Sequence, residues 1–230
     1  MKLKIVTLSL AALSASAFAA LVHAAAPATG LIVDITSPAP GSHFAWGSQA
    51  PYAATVSYDG KSSKFGEIPS SQIVVRAAFA DNVDAAPSAA PLPDGVAEIS
   101  RSNCTGCHDF IASSAGPSFA AIAKRGAPAA TLAASIRNGS HGKWGGGSMP
   151  PHPDMSAAQA SAIAQWILAE GGNPSVQYAI GKSGTFRMNA PGKPGPHSGI
   201  VLSAFYTGPL KPGDRRTPNA GRSSVIVHGS

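Results

Sequence analysis

The sequence predicts an α+β multidomain chain in which an all-α module is set between two β segments that can pair into one sandwich. Three observations predict this. Strand-like apolar runs fill the stretch before Asp84, the period turns helical between Asp94 and Gly172, and strand signals return after Asn173. Asp84 to Pro93 is rich in Ala and Pro, which is linker composition. The only cysteines of the 230 residues, Cys104 and Cys107, both fall inside the helical stretch, so a cofactor that consumes them leaves no structural disulfide.

In chain order, Lys2 and Lys4 precede an apolar stretch from Ile5 to Val22, and Val22-His23-Ala24 offers the small-residue pattern of a signal-peptide cleavage site. The reading is a leader over residues 1–24 and an exported mature protein, periplasmic or extracellular. A membrane anchor is the alternative, but Ala24-Ala25-Ala26-Pro27 follows the stretch where an anchor would carry a basic cluster. No later segment is long and apolar enough to span a bilayer as a helix. About 205 residues remain after cleavage, enough for one large or two small domains.

Residues 27–85 form the first β part. Leu31 to Ile35, Tyr52 to Tyr58 and Ile73 to Phe79 read as strands, with turn chemistry at Ser37 to Gly41 and at Asp59-Gly60. Residues 94–172 form the helical module. Val96 and Ile99 share one face, Leu132 and Ile136 lie one turn apart, and Ile163, Trp166 and Ile167 make a stripe. Ser156 with Gln159 reads as a capping box that opens the last helix, and Gly171-Gly172 closes it. Residues 173–230 form the second β part, with strands at Val176 to Ile180, Thr185 to Met188, Ile200 to Tyr206 and Ser223 to Val227. Three strands and four make about seven, the count of a small immunoglobulin-like sandwich. Two unrelated β segments flanking the module are the other arrangement.

Charge is unevenly placed. Residues 173–230 hold Lys182, Arg187, Lys193, Lys211, Arg215, Arg216 and Arg222 against Asp214 alone. Such a tail suits an acidic protein partner or, more simply, is a solvated basic face. Nucleic acid is not expected as a partner, because no aromatic platforms are interleaved with the basic residues.

Cys104-Thr105-Gly106-Cys107-His108 is the attachment pattern for c-type haem, in which both thiols add to porphyrin vinyl groups and the adjacent His reaches iron. A redox dithiol would sit in a βαβ context, and a zinc ribbon needs a second Cys pair. The surroundings carry a family resemblance. A helix before Cys104, Gly116-Pro117-Ser118-Phe119, Trp144-Gly145, Ser148-Met149-Pro150-Pro151 and a closing helix with Trp166-Ile167-Leu168 together resemble class I cytochrome c, over about residues 94–172.

The resemblance implies one covalent haem c with His108 and Met149 as metal ligands, an imidazole and a thioether that close both axial positions. It also implies that the Pro117 carbonyl accepts the ring proton of His108 and that Trp144 lies near a haem propionate. Met155, at the entrance of the last helix, is expected to pack. His141 and His152 are the candidates for a bis-histidine site. Ser37-Pro38 with Gly41, Trp46-Gly47, Pro51-Tyr52 and Asp59-Gly60 resemble the first strands of immunoglobulin-like or PKD-like domains, and Gly199 to Tyr206 a late one.

Two functions follow. The first is an electron carrier that exchanges single electrons with a redox protein such as a dehydrogenase or another cytochrome, while the β domain docks or positions it. The second is a surface module whose β domain binds carbohydrate or self-associates, carrying a haem. An enzyme is not expected, since peroxidase-type chemistry needs an open iron position or a second haem.

Overall fold

A computed structural model describes residues 30–85, 90–208 and 221–230. The expected leader, residues 86–89 of the linker and Lys211, Asp214, Arg215 and Arg216 of the basic tail lie outside the described residues.

The first β part holds β1 (Ile32–Ser37), β2 (Ser42–Phe44), β3 (Gln49–Tyr58), β4 (Lys61–Ser62) and β5 (Ile73–Ala80). Two strands here go beyond the three expected. β2 and β4 are too short to show a period. β3 starts before the expected Tyr52 and runs through Pro51, which is tolerated because pairing with β1 stops at Ala53 and β9 alone flanks that end.

The helical stretch holds α1 (Asp94–Arg101), α2 (Phe119–Arg125), α3 (Ala129–Asn138), the two-residue strands β6 (Ser140–His141) and β7 (Ser148–Met149), and α4 (Ala157–Glu170). After it come β8 (Val176–Ile180), β9 (Ser183–Arg187), β10 (Gly199–Tyr206) and β11 (Arg222–Gly229). The expected Thr185 to Met188 strand lies two residues earlier at its start and ends at Arg187.

The strands form two larger sheets that draw on both sides of the helical stretch. In one, β3 pairs with β1, β4 and β9; in the other the order is β2-β11-β10-β5-β8. β3 meets β9 with Ala50 opposite Phe186, and β5 meets β10 with Ala77 opposite Leu202 and β8 with Ala77 opposite Gln177. Alternate residues point inward, as a period of two requires. Val33 and Ile35, Ala50 to Val56, Val75 and Ala77, Phe186, Ile200 to Ala204, and Val225 and Val227 make one buried cluster between the sheets.

A second core belongs to the helices and reaches the outward face of the five-stranded sheet. Val96, Ile99, Phe110, Phe119, Ile163, Trp166 and Ile167 pack with Val74 of β5, Tyr178 of β8 and Phe205 of β10. Those three strand positions alternate with the inward ones, so β5 and β10 are covered on both faces. α1 crosses α4 at a glycine: a Cβ on Gly95 would stand 2.5 Å from both the Ala162 carbonyl oxygen and Trp166 Cβ. α4 begins with a capping box, the Ser156 hydroxyl accepting from Gln159 N at 3.2 Å and the Gln159 side-chain Oε1 accepting from Ser156 N at 3.0 Å.

Hydrogen bonds fasten the end of α1 to the turn before β5 and to the residue after β10. Ser100 Oγ donates to the Ser71 carbonyl at 2.6 Å and lies 2.7 Å from Thr207 Oγ1, and Arg101 Nε donates to the Thr207 carbonyl at 2.9 Å. Arg101 also pairs with Glu98 at 2.8 Å. No helix among the described residues is long and apolar enough to cross a membrane.

Candidate haem site

The anchored end of α1 leads into the cysteine turn. Asn103 takes a left-handed conformation (φ 53°), and Cys104–Gly106 form one 3₁₀ turn closed by Cys107 N and His108 N donating to the Cys104 carbonyl at 3.2 and 3.0 Å. Asparagine is among the few residues that adopt such a φ at low cost. Both thiols are free, Cys104 half-buried and Cys107 exposed. Burial, foremost, pushes the Cys104 thiol up to about 11, with the charges of Cys107 and Glu98 acting in the same direction.

His108 is held on two sides. Its Nδ1 lies 2.7 Å from the Pro117 carbonyl oxygen. A carbonyl only accepts, so Nδ1 carries the proton and Nε2 is left with its lone pair for a ligand. The Phe119 ring stacks on the imidazole with centroids 5.6 Å apart. Gly116 runs beneath the ring so closely that a Cβ there would stand 2.6 Å from His108 Cε1. Its amide donates to the Cys107 carbonyl at 2.7 Å, and the Asp109 carboxylate accepts from Ile111 N and Ala112 N at 2.9 and 3.1 Å, shaping the loop between.

Met149 arrives on the small β6–β7 hairpin, opposite Ser140. The hairpin is pressed against the end of α3, where Gly139 has φ +76° and a Cβ would come within 2.8 Å of the Met149 carbonyl oxygen. His152 N donates to the Ile136 carbonyl at 3.2 Å and fixes the chain after Pro150-Pro151.

Cys104, Cys107, His108, Pro117, Trp144 and Met149 all line one cavity of about 650 Å³. Its apolar walls come from residues such as Phe119, Ile122, Leu132 and Ile163. Volume and lining match a cofactor pocket. Met155, His141 and His152 do not line it; Met155 is buried in the helical core. Among the described residues no three His, Cys, Asp or Glu side chains cluster as a metal-binding set, and the cavity lining brings the imidazole of His108 and the thioether of Met149 to one space.

Arg125 and Lys143 also line the cavity. Neither was singled out from the sequence. The Arg125 guanidinium lies 4.7 Å from the centroid of the Trp144 ring and donates to the Lys143 carbonyl, while Lys143 Nζ donates to Ser135 Oγ at 2.7 Å. The signal that would have pointed to them is charge patterning. From Phe110 to Pro153 there is no Asp or Glu, against Lys124, Arg125, Arg137 and Lys143. A cavity rimmed in this way fits a group that carries carboxylates at one edge and is apolar elsewhere.

Comparison with known proteins meets this geometry. Residues 91–167 match a family model described as cytochrome C oxidase, cbb3-type, subunit III. Cytochrome c-551 of Stutzerimonas stutzeri is 36% identical over 80 residues, 33% of this chain and 76% of that protein. Cytochrome c-552 of Nitrosomonas europaea is 43% identical over 72 residues, 30% of this chain and 70% of that protein. The crystal structure of wild-type Nitrosomonas europaea cytochrome c552 aligns at 37% identity with 32% of this chain and 96% of that one, with a TM-score of 0.31. Through residues 91–167 the chain therefore belongs to the class I monohaem c-type cytochromes of the cytochrome c-551 and c-552 kind, which carry one covalently attached haem c.

Proposed function

We propose that the chain is an exported, periplasmic or extracellular electron carrier whose haem is tied to Cys104 and Cys107, with His108 and Met149 as the two axial ligands. The observation that carries this reading is that these four side chains line one apolar cavity while the Pro117 carbonyl holds the His108 proton on Nδ1. When bound, the haem supplies a one-electron couple whose potential thioether ligation raises. His108 presents Nε2, oriented by Pro117 and braced by Phe119. Met149, on a hairpin that α3 supports, would supply the second ligand. Arg125, held over Trp144, and Lys143 offset the carboxylates at the cavity rim. The acid-free stretch from Phe110 to Pro153 suits a redox partner with an acidic surface, since complementary charge speeds encounter.

The two sheets are, in this proposal, one immunoglobulin-like domain built from residues 27–85 and 173–230, into which the cytochrome module is inserted. The pairing of β5 with β8 and β10 and of β3 with β9 supports it. That domain positions the cytochrome: it fastens α1 through Ser71 and Thr207, one turn before Cys104.

Spectra of the haem-loaded protein test the site. A low-spin haem with a Met-to-iron charge-transfer band in the oxidised state is expected, and Met149→Ala should abolish that band and admit carbon monoxide. A high-spin wild-type protein that binds carbon monoxide readily overturns the assignment, as does a Met149→Ala variant with unchanged spectra.

A further inference from the structure

A second cluster of donor atoms lies on the β strands, far in sequence from the cysteine turn. β2 and β11 run parallel, and their register sets His43 opposite His228. Val225 and Val227 of β11 point into the core, whereas His43 is exposed and His228 half-buried. The two imidazoles lie 5.0 Å apart between centroids, with planes 21° apart. Among the described residues neither ring has a hydrogen-bond partner. An exposed pair of this kind adds little to the fold, yet it gathers several ring nitrogens with free valence at one point of a sheet edge.

The backbone beneath the pair is well fixed. Gly41 N donates to the Ile226 carbonyl at 2.9 Å, Ser230 N to the Phe44 carbonyl at 3.1 Å and Trp46 N to the Ser230 carbonyl at 3.2 Å. The Trp46 ring occupies the space over Gly229, where a Cβ would collide with it. The separation of the rings suits a shared ion. With a metal–nitrogen bond of about 2.0–2.1 Å, the metal sits roughly 3.2 Å from each ring centroid, and two such arms at about 90–110° put the centroids roughly 4.5–5.2 Å apart. The observed 5.0 Å falls within that span. As placed the rings are stacked, so sharing an ion requires rotation about the second side-chain torsion, which is broad for histidine.

We propose that His43 and His228 form a two-imidazole site for a first-row transition-metal dication, Cu(II) foremost. Imidazole suits Cu, Zn and Ni, and Cu(II) heads the affinity order for a given set of nitrogen donors. No third His, Cys, Asp or Glu joins the pair among the described residues, so water completes the coordination and the ion remains exchangeable. The site is independent of the haem assignment.

Titration of the haem-loaded, full-length protein with Cu(II), followed by calorimetry and by electron paramagnetic resonance, tests the site. One tight Cu(II) per chain is expected, with coupling to two nitrogens, and Cu(II) should displace Zn(II) loaded first, not the reverse. His43→Gln and His228→Gln should each weaken binding by roughly tenfold or more, since even loss of a group that only supports a ligand costs about 10–100-fold. His141→Gln should leave binding unchanged. A spectrum with a single nitrogen ligand in the unsubstituted protein overturns the proposal, and so does unaltered affinity in either of the first two variants.

Discussion

Gly116→Ala tests the positioning of His108 most directly. The new Cβ would stand 2.6 Å from His108 Cε1, 2.8 Å from Nδ1 and 3.3 Å from the Cys107 carbonyl oxygen. Ordinary contact begins near 3.4 Å, so ring and backbone must separate by most of an ångström. The ring cannot simply swing away. Phe119 stacks on it, and Nδ1 donates to the Pro117 carbonyl at 2.7 Å. Overpacking costs about 1–3 kcal/mol and loss of the hydrogen bond about 1 kcal/mol, so a destabilisation of roughly 2–4 kcal/mol is expected. Denaturant unfolding of the haem-loaded protein measures it, and the proton resonance of His108 Nδ1 reports the lost bond. Gly146→Ala is the control, because nothing lies within 4 Å of a Cβ there and its φ is not positive. Equal stability in the two variants, with an unshifted Nδ1 proton in Gly116→Ala, would refute the argument.

Three further substitutions probe the surroundings. Gly139→Ala combines a φ of +76° with a Cβ 2.8 Å from the Met149 carbonyl, so it should destabilise by about 2 kcal/mol or more and weaken the Met-to-iron band in the oxidised spectrum. Arg101→Ala removes the bond to the Thr207 carbonyl and the pair with Glu98; partial exposure limits the loss to about 1–2 kcal/mol, read as a lower urea midpoint. Burial, foremost, holds the Tyr178 hydroxyl at about 12 against 10.0 for a free tyrosine, with the charge of Glu170 and the hydrogen bond to it adding to the rise and Arg76 and Trp166 acting against it. Its contribution is therefore fully present below pH 10 and is lost as pH rises towards 12, where the folded chain keeps a proton the unfolded chain has released. Wild type should lose about 2–3 kcal/mol from this group over that window. Tyr178→Phe should show a shallower alkaline slope in unfolding free energy, though not a flat one, since burial also raises Tyr52 and Tyr206.

Much of the architecture was readable because periodicity changes at the right places. The run Ile73–Ala80, with Val74 and Val75 both apolar, and Gly199–Tyr206 are nearly continuous in apolar character, and the reason is now visible: one face fills the space between the sheets and the other meets the helices. That continuity announces a strand without saying what covers its second face. β2 and β4 were illegible because two or three residues carry no period, and α2 because its alanine-rich face presents no stripe. At the site, local spacing pointed to Cys104, Cys107 and His108 and the ordered motifs to Pro117, Trp144 and Met149, and all six line one cavity. Arg125 lies 19 residues before Trp144, on another element, and no spacing rule joins a helix end to a loop that folds back over it.

The arrangement of the two cores bears on how the site is supported. Phe119 touches the His108 ring and also Phe110 and Trp166, and both of these touch Tyr178 on β8. The imidazole side of the cavity is thereby continuous with the five-stranded sheet through close-packed aromatic rings. On the other side, β7 pairs with β6 alone, and the chain around Trp144 to Gly147 is exposed. A core of this density transmits displacement and yields little, whereas a two-residue ladder yields easily. Loosening of the haem module should therefore begin at the Met149 hairpin while His108 stays fixed by the sheet. It also follows that a partner has open access from the hairpin side, where Arg125 and Lys143 stand, and not from the side that the sheet covers.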